Sequence, residues 1–365
     1  MGIHRLPDGV VTGAQASCLW DQRPSRLLAW ILKSLNIISS TAGRMPAGPT
    51  AKIAVLLLAL APLSVFGADR NRPAMCLPGY KAVPVHYWPL NKMIMFVRIN
   101  SQPVNLLVDT GASQIILNKD AAESVGVTPL QRTMDQVHFA VPSQVFTMGS
   151  EINGEVLPVG LAQNITAGSM NFGSNPVALR NSSHSGTGTS HVDGVVGLDI
   201  LLRHKAVVNC GARLVFFKVD QGRQTDLSSI VSSQKFTRVP IQREENGALT
   251  VQCSIRGQLA RLLVDTGAFV TTLHEPFIRS LGIVSEPTQI SAQFARGAAK
   301  RIRAAKIDDV SIGAFKALPQ KFGIAALPSF ALQQGSSKIT GILGMDTLYI
   351  SHAIIDLDGM SLFLK

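Results

Sequence analysis

The stretch Asn105–Ser113 reads NLLVDTGAS, and Arg261–Phe269 reads RLLVDTGAF. The same run, Leu-Leu-Val-Asp-Thr-Gly-Ala, therefore occurs twice at a spacing of 156 residues. Leu-Leu-Val has no polar alternation, which marks a strand buried on both faces. An aspartate follows at once, so its carboxylate lies at the rim of a core. An isolated charge is costly there, and the group responds by holding its proton more tightly. The threonine supplies a hydroxyl for hydrogen bonding, and the glycine permits a tight turn or the close approach of another backbone.

The repeat extends beyond these loops. At the 156-residue spacing the self-alignment runs without a gap from Lys81 to Val127, placing Ala82–Val85 on Arg238–Ile241 and Leu117 on Leu273. A second block recurs at a spacing of 147: GVVGLDIL (Gly194–Leu201) falls on GILGMDTL (Gly341–Leu348), and Ala206–Lys218 falls on Ala353–Lys365. The first copy is thus nine residues longer between its blocks, an excess expected in the Gly/Ser/Thr loop Asn181–His191. The organisation read from this is an N-terminal extension and signal peptide over 1–67, a first half over 76–218, a polar linker over 219–236 and a second half over 237–365. Two copies are too few for a solenoid and fit a pair related by a pseudo-two-fold axis within one chain.

Each half reads mainly as strand. KMIMFVRI (Lys92–Ile99) and GALTVQCSI (Gly247–Ile255) each feed a turn, at Asn100-Ser101 and Arg256-Gly257, into the strand that ends on the aspartate. Short helices follow at Asn118–Gly126 and His274–Gly282, closed by Gly126 and Gly282, and others at Gly197–His204 and Gly344–His352.

Bulk properties set outer bounds. A chain of 365 residues, 46% hydrophobic and 16% charged, has room for two cores and is globular in composition. The net charge of +11 raises nucleic acid as a partner, but the basic residues are scattered and show no aromatic interleaving, so no nucleic-acid partner is expected. Four cysteines (Cys18, Cys76, Cys210 and Cys253) form no Cys-x-x-Cys pair and no disulfide framework. The leader AKIAVLLLALAPLSVFGADR (Ala51–Arg70) has a lysine, a short apolar run broken by Pro62 and Ser64, and a small-residue end. It falls short of the roughly 18 apolar residues of a membrane span. Secretion or export to a periplasm is expected, with membrane attachment only if the leader stays uncleaved.

Two aspartates brought together across a dyad do what one cannot. Like charges in contact cannot both ionise, so the pair keeps one proton between them. The ionised carboxyl can take a proton from water attacking a carbonyl while the protonated one binds the carbonyl oxygen. Neither a metal nor another cofactor is needed. At this point the sequence resembles the aspartic proteases, and Asp-Thr-Gly followed by Ala is similar to the retropepsin type. A second family mark, two apolar residues and then Gly, stands at Val195-Val196-Gly197 and Ile342-Leu343-Gly344. The resemblance covers about Ala82 to Lys365.

It implies an all-β fold of two homologous retropepsin/pepsin-like β-barrel halves, a polypeptide substrate in a cleft between them, and endopeptidase activity by a monomer that is an intramolecular pseudo-dimer. Asp109 and Asp265 would be catalytic. Thr110, Gly111, Thr266 and Gly267 would support the paired loops, and Gly197 and Gly344 would lie in the segments that cross them. The flap departs from the family, since the tyrosines after the leader (Tyr80, Tyr87 and Tyr349) occupy no flap position. Flap segments are placed by order alone at Val137–Ser150 and Ile290–Ala305. The alternative is a catalytically inactive peptide-binding module on the same fold.

Other chemistry-bearing residues have plainer readings. Asp199 and Asp346 stand where an aspartate caps helical amides. His184 and His191 lack a third ligand at zinc spacing. Ser113 is not in a Gly-x-Ser-x-Gly elbow and becomes Phe269 in the other half, which leaves it a hydrogen bond near the dyad. Five basic residues in Ala295–Lys306 read as a solvated loop or as a preference for acidic substrate regions.

Overall fold

The computed structural model describes residues 77–134, 144–147, 149–152, 155–181, 191–232, 234–292, 300–318, 320–327, 333–334 and 337–365. The leader, Cys18, Cys76 and His184 lie outside this set. Leu77–Lys365 forms one compact unit. It is almost entirely β, with short helices at the positions where the repeat predicts them. Among the described residues no helix is long and apolar enough to cross a membrane.

Each half opens with the expected hairpin. Strands Lys92–Ile99 and Gln102–Val108 pair antiparallel with Ile99 opposite Gln102, and strands Leu249–Ile255 and Gln258–Val264 pair with Ile255 opposite Gln258. Both central residues of each turn have positive φ: Asn100 and Ser101 at 49° and 71°, Arg256 and Gly257 at 49° and 75°. That geometry matches the right-handed twist of the flanking strands. Asn100 tolerates it with side-chain support, donating from Nδ2 to the Val125 carbonyl (2.9 Å) and accepting from the Gln163 amide (2.9 Å).

The hairpin's second strand then meets the later apolar-apolar-Gly block in parallel. Leu106 and Val108 lie opposite Gly194 and Val196, and Leu262 and Val264 opposite Gly341 and Leu343. Strands Ile116–Asn118 and Thr272–His274 flank the same blocks antiparallel. In the first half the order closes on itself, because Glu155–Ala167 pairs back onto Lys92–Ile99 through Arg98 with Thr166 and Ile99 with Ile165. In the second half the equivalent long strand is split into Lys300–Ile307 and Val310–Ile312, and the latter pairs back onto Leu249–Ile255. Buried aliphatic side chains from both halves form one continuous core.

The halves join through a shared sheet. Val207–Asn209 pairs antiparallel with Ile354–Asp356: Val208 faces Ile355, Val207 faces Asp356 and Asn209 faces Ile354. At the 147-residue spacing Ile355 is the repeat of Val208, so the pseudo-dyad passes through that pair. The register is self-complementary, as two-fold contacts require.

Two sequence expectations change. The extra residues of the first half do not lie in the Asn181–His191 loop, of which 182–190 are outside the described set. Ile165 faces Ile99 and Val310 faces the equivalent Ile255, a spacing of 145 where 156 holds up to Val127 and 147 returns at Gly194. The first half is therefore eleven residues longer between Val127 and Ile165 and two shorter afterwards. Over that stretch the first half folds two hairpins, Gln131–Met134 with Gln144–Thr147 and Gly149–Ile152 with Glu155–Pro158, where the second half folds one, Glu286–Ala292 with Lys300–Ala304. The polar linker, in turn, contains the helix Leu227–Ser232. Leu227 and Val231, four residues apart and so on one helical face, are buried, and the Asp226 carboxylate accepts from the Ser228 amide at its start (2.9 Å).

Candidate active site

Both aspartates stand where a buried strand ends, and the crossing segment fixes each from one side. The Asp109 amide donates to the Val196 carbonyl and the Asp265 amide to the Leu343 carbonyl, both at 3.0 Å. Further along, the Leu198 and Met345 amides reach the Ala112 and Ala268 carbonyls, both at 2.8 Å. This interlock leaves no room for a side chain at the intervening residue. A Cβ on Gly197 would lie 2.4 Å from the Gln114 carbonyl oxygen, and one on Gly344 would lie 2.7 Å from the Val270 carbonyl carbon.

The threonines then lock one loop to the other. The Thr110 amide donates to Thr266 Oγ1 (3.1 Å) and the Thr266 amide to Thr110 Oγ1 (3.0 Å). Each hydroxyl passes its own proton across the dyad, Thr110 Oγ1 to the Val264 carbonyl (2.8 Å) and Thr266 Oγ1 to the Val108 carbonyl (2.7 Å). Both threonines are buried, so these four bonds are shielded from water.

This grip sets the carboxyls face to face. Asp109 Oδ1 accepts from the Gly111 and Ala112 amides (2.8 and 3.1 Å), and Asp265 Oδ1 accepts from the Gly267 and Ala268 amides (2.8 and 3.0 Å). The two side chains also hydrogen-bond each other. Neither Gly111 nor Gly267 has a positive φ. Their smallness is required by the opposite half: a Cβ on Gly111 would sit 2.6 Å from Asp265 Cγ, and one on Gly267 would sit 2.4 Å from Asp109 Cγ. Burial raises the pKa of both aspartates, and the Asp109 charge pushes Asp265 further, well above the usual carboxylate range. The pair is built to keep a proton.

Asp199 and Asp346 each accept from a first-turn amide of their helix, as expected, and also reach beyond it. Gly197 and Gly344 occupy the cap positions. Asp346 Oδ1 accepts from the Thr271 amide (2.7 Å) and Thr271 Oγ1 (2.6 Å) as well as from the Thr347 amide (2.7 Å). Asp199 bonds the Ile115 and Ile200 amides in the same way. Each aspartate thus ties the crossing segment to the strand that leaves its dyad loop.

The remaining candidates fall away from the site. His191 Nδ1 bonds Asp193 Oδ1 (2.7 Å), whose other oxygen accepts from the Asn105 amide (2.7 Å). Among the described residues no group of three or more His, Cys, Asp or Glu converges as a metal site would require. Cys210 and Cys253 are separate buried thiols, each pushed by burial to about 12. Ser113 is exposed, and its carbonyl accepts from the Asp199 amide (3.1 Å).

Both segments assigned to flaps belong to antiparallel hairpins, Gln131–Met134 with Gln144–Thr147 and Glu286–Ala292 with Lys300–Ile307. Their tips lie outside the described residues. In the basic segment, Arg303 is committed to Ser285, through Nε to the hydroxyl (2.7 Å) and through Nη2 to the carbonyl.

Sequence reasoning passed over Arg180, whose charge acts on Asp109. The available signal was a basic residue next to the Gly/Ser/Thr loop with no counterpart in the second copy.

Comparison with known proteins matches the chain half by half. Residues 95–203 match the family of gag-polyprotein aspartyl proteases, and residues 251–347 match a second aspartyl protease family. No curated protein sequence matches the chain. Similar solved structures include an aspartic proteinase from Irpex lacteus, at 15% identity and a TM-score of 0.41, covering 78% of this chain and 96% of that one. Basic 7S globulin from soybean and conglutin gamma, a basic 7S globulin from lupine seeds, each share 12% identity at a TM-score of 0.44, covering 79% of this chain and 95% of theirs. Each half thus matches an aspartyl protease family over the region that holds its Asp-Thr-Gly loop and crossing segment.

Proposed function

We propose that the protein is an aspartic endopeptidase that works as a single chain, with Asp109 and Asp265 as its catalytic pair. The observation that carries this reading is the reciprocal threonine lock, which holds two mutually hydrogen-bonded carboxyls at the junction of the halves. With one proton on the pair, the ionised carboxyl takes a proton from water as that water attacks the peptide carbonyl. The protonated carboxyl hydrogen-bonds the carbonyl oxygen and passes its proton to it. Collapse of the tetrahedral intermediate delivers a proton to the leaving amine and returns the pair to its starting state.

Digestion of a peptide library tests this, with Asp109→Asn and Asp265→Asn as controls. Cleavage by the wild type and loss in both variants is the expected result; equal cleavage by all three would refute the catalytic pair. Binding of peptides by the wild type without cleavage would instead identify a peptide-binding module on the same fold. The leader leads us to place the protein outside the cytoplasm, secreted or periplasmic. N-terminal sequencing of the mature protein tests that placement, and retention of the leader would mean membrane attachment.

A further inference from the structure

Arg180 ends the strand Met170–Arg180, which runs parallel to Ile116–Asn118 and sets Arg180 opposite Asn118. It is half-buried, and its Nε is fully enclosed without a hydrogen-bond partner. Buried guanidiniums normally sit in ion pairs, because an unpaired charge or donor away from water is costly. The charge of Arg180 reaches Asp109, whose carboxyl is already occupied by two backbone amides and by Asp265.

The second half has no equivalent. The register there sets Ala325 opposite His274, the repeat of Asn118. On the first-half side there is therefore a guanidinium whose Nε has no partner, and at the equivalent place in the second half a methyl group. The grip, the crossing segments and the amide cradles are complete without this cation.

We propose that Arg180 selects substrates that carry a carboxylate side chain beside the cut bond, on the side of the cleft formed by the first half. The guanidinium offers a planar fork that matches a carboxylate, and pairing would compensate its charge in this half-buried setting. Arg180 is then a specificity-determining residue, and its role rests on the proposal that this cleft binds polypeptide. It gives an acidic preference a different seat from the basic strand of the second half, where Arg303 is already bonded to Ser285.

The test uses the full-length protein and matched peptides in which Glu and Gln are exchanged position by position around the cut bond. For the wild type, kcat/KM for Glu over Gln should reach roughly tenfold at one position, as a charge-assisted hydrogen bond implies. Arg180→Met should bring that ratio close to one, and Arg180→Lys should leave it in between. A wild type without preference at any position, or an Arg180→Met variant that keeps it, would overturn the proposal. So would an equal loss on Glu and Gln peptides, which would show that Arg180 acts on the dyad or the fold alone. If Arg180→Met does not fold, Arg180→Lys replaces it: a fall in the ratio supports the proposal, and an unchanged ratio overturns it. If no peptide is cut, the catalytic reading fails separately, and the Glu/Gln ratio of Kd values from fluorescence anisotropy decides the question.

Discussion

At the residue scale, each position of Asp-Thr-Gly answers to the other half of the molecule. The glycine makes room for the opposing carboxyl, the threonine bonds the opposing strand and the aspartate meets its counterpart. Replacing Thr266 with Ala leaves the Val108 carbonyl and the Thr110 amide without their buried partner. A loss of about 3 kcal/mol is expected in denaturant unfolding, with much of it restored by Thr266→Ser, which keeps the hydroxyl. The aspartates act on stability with the opposite sign. Their folded pKa values lie above the unfolded ones, so folding takes up a proton, and stability falls as pH rises from the ordinary carboxylate range through the raised one. Asp265→Asn should therefore be inactive yet melt at a higher temperature than wild type at neutral pH, where the repulsion it removes is greatest. Peptidase activity should follow a bell-shaped pH profile whose alkaline limb lies above the usual carboxylate range, since it ends when the second proton leaves the pair.

At the scale of elements, the crossing segments show how small residues admit close packing. Gly197 and Gly126 are both glycines of the first half, but for different reasons. Gly126 lies just past a helix end at φ +70°, and a Cβ there would meet nothing within 4 Å, so Ala faces backbone strain alone, about 1–2 kcal/mol. At Gly197 a Cβ would stand 2.4 Å from a backbone carbonyl oxygen, which no rotamer relieves. Gly197→Ala should cost about 3 kcal/mol and displace the dyad loop, so that activity falls along with the melting temperature. A Gly197→Ala variant as stable as Gly126→Ala would disprove the close approach. The crossing block was readable in the sequence because it repeats; its partner, the backbone of Gln114 or Val270, was not, because that contact joins segments far apart in the chain.

At the scale of the whole molecule, the two-fold symmetry is broken where the halves are clamped. Asp358 of the second half receives Lys218, Lys205 (3.0 Å) and the Tyr80 hydroxyl (3.3 Å) of the first. Its repeat position is Gly211, and the repeats of Lys218 and Tyr80 are Lys365 and Phe236, which meet only as a cation over a ring at 5.8 Å. Burial alone would raise Asp358, but Lys218 and Lys205 outweigh it and hold it below its ordinary value. A lowered folded pKa adds stability that is present above the unfolded pKa and is lost as pH falls through the folded one. Asp358→Asn should consequently lower Tm at neutral pH, and its deficit against wild type should shrink in acid as the native carboxylate is itself neutralised. A deficit that does not change with pH would show that the clamp is packing rather than charge.

The amino-acid sequence by itself determined the duplication, the strand-turn-strand approach to each aspartate, the helix stops at Gly126 and Gly282 and the identity of the paired acids. These follow from local periodicity and from self-similarity, both of which survive in one dimension. Only the tertiary structure decided that the extra length of the first half lies before Ile165, that Asp199 and Asp346 tie crossing segments to strands, that Asp358 clamps one side only and that the Arg180 charge reaches Asp109 while its Nε has no partner. Each of these depends on which distant strands become neighbours, and burial fixes a partner's identity only once the chain has folded.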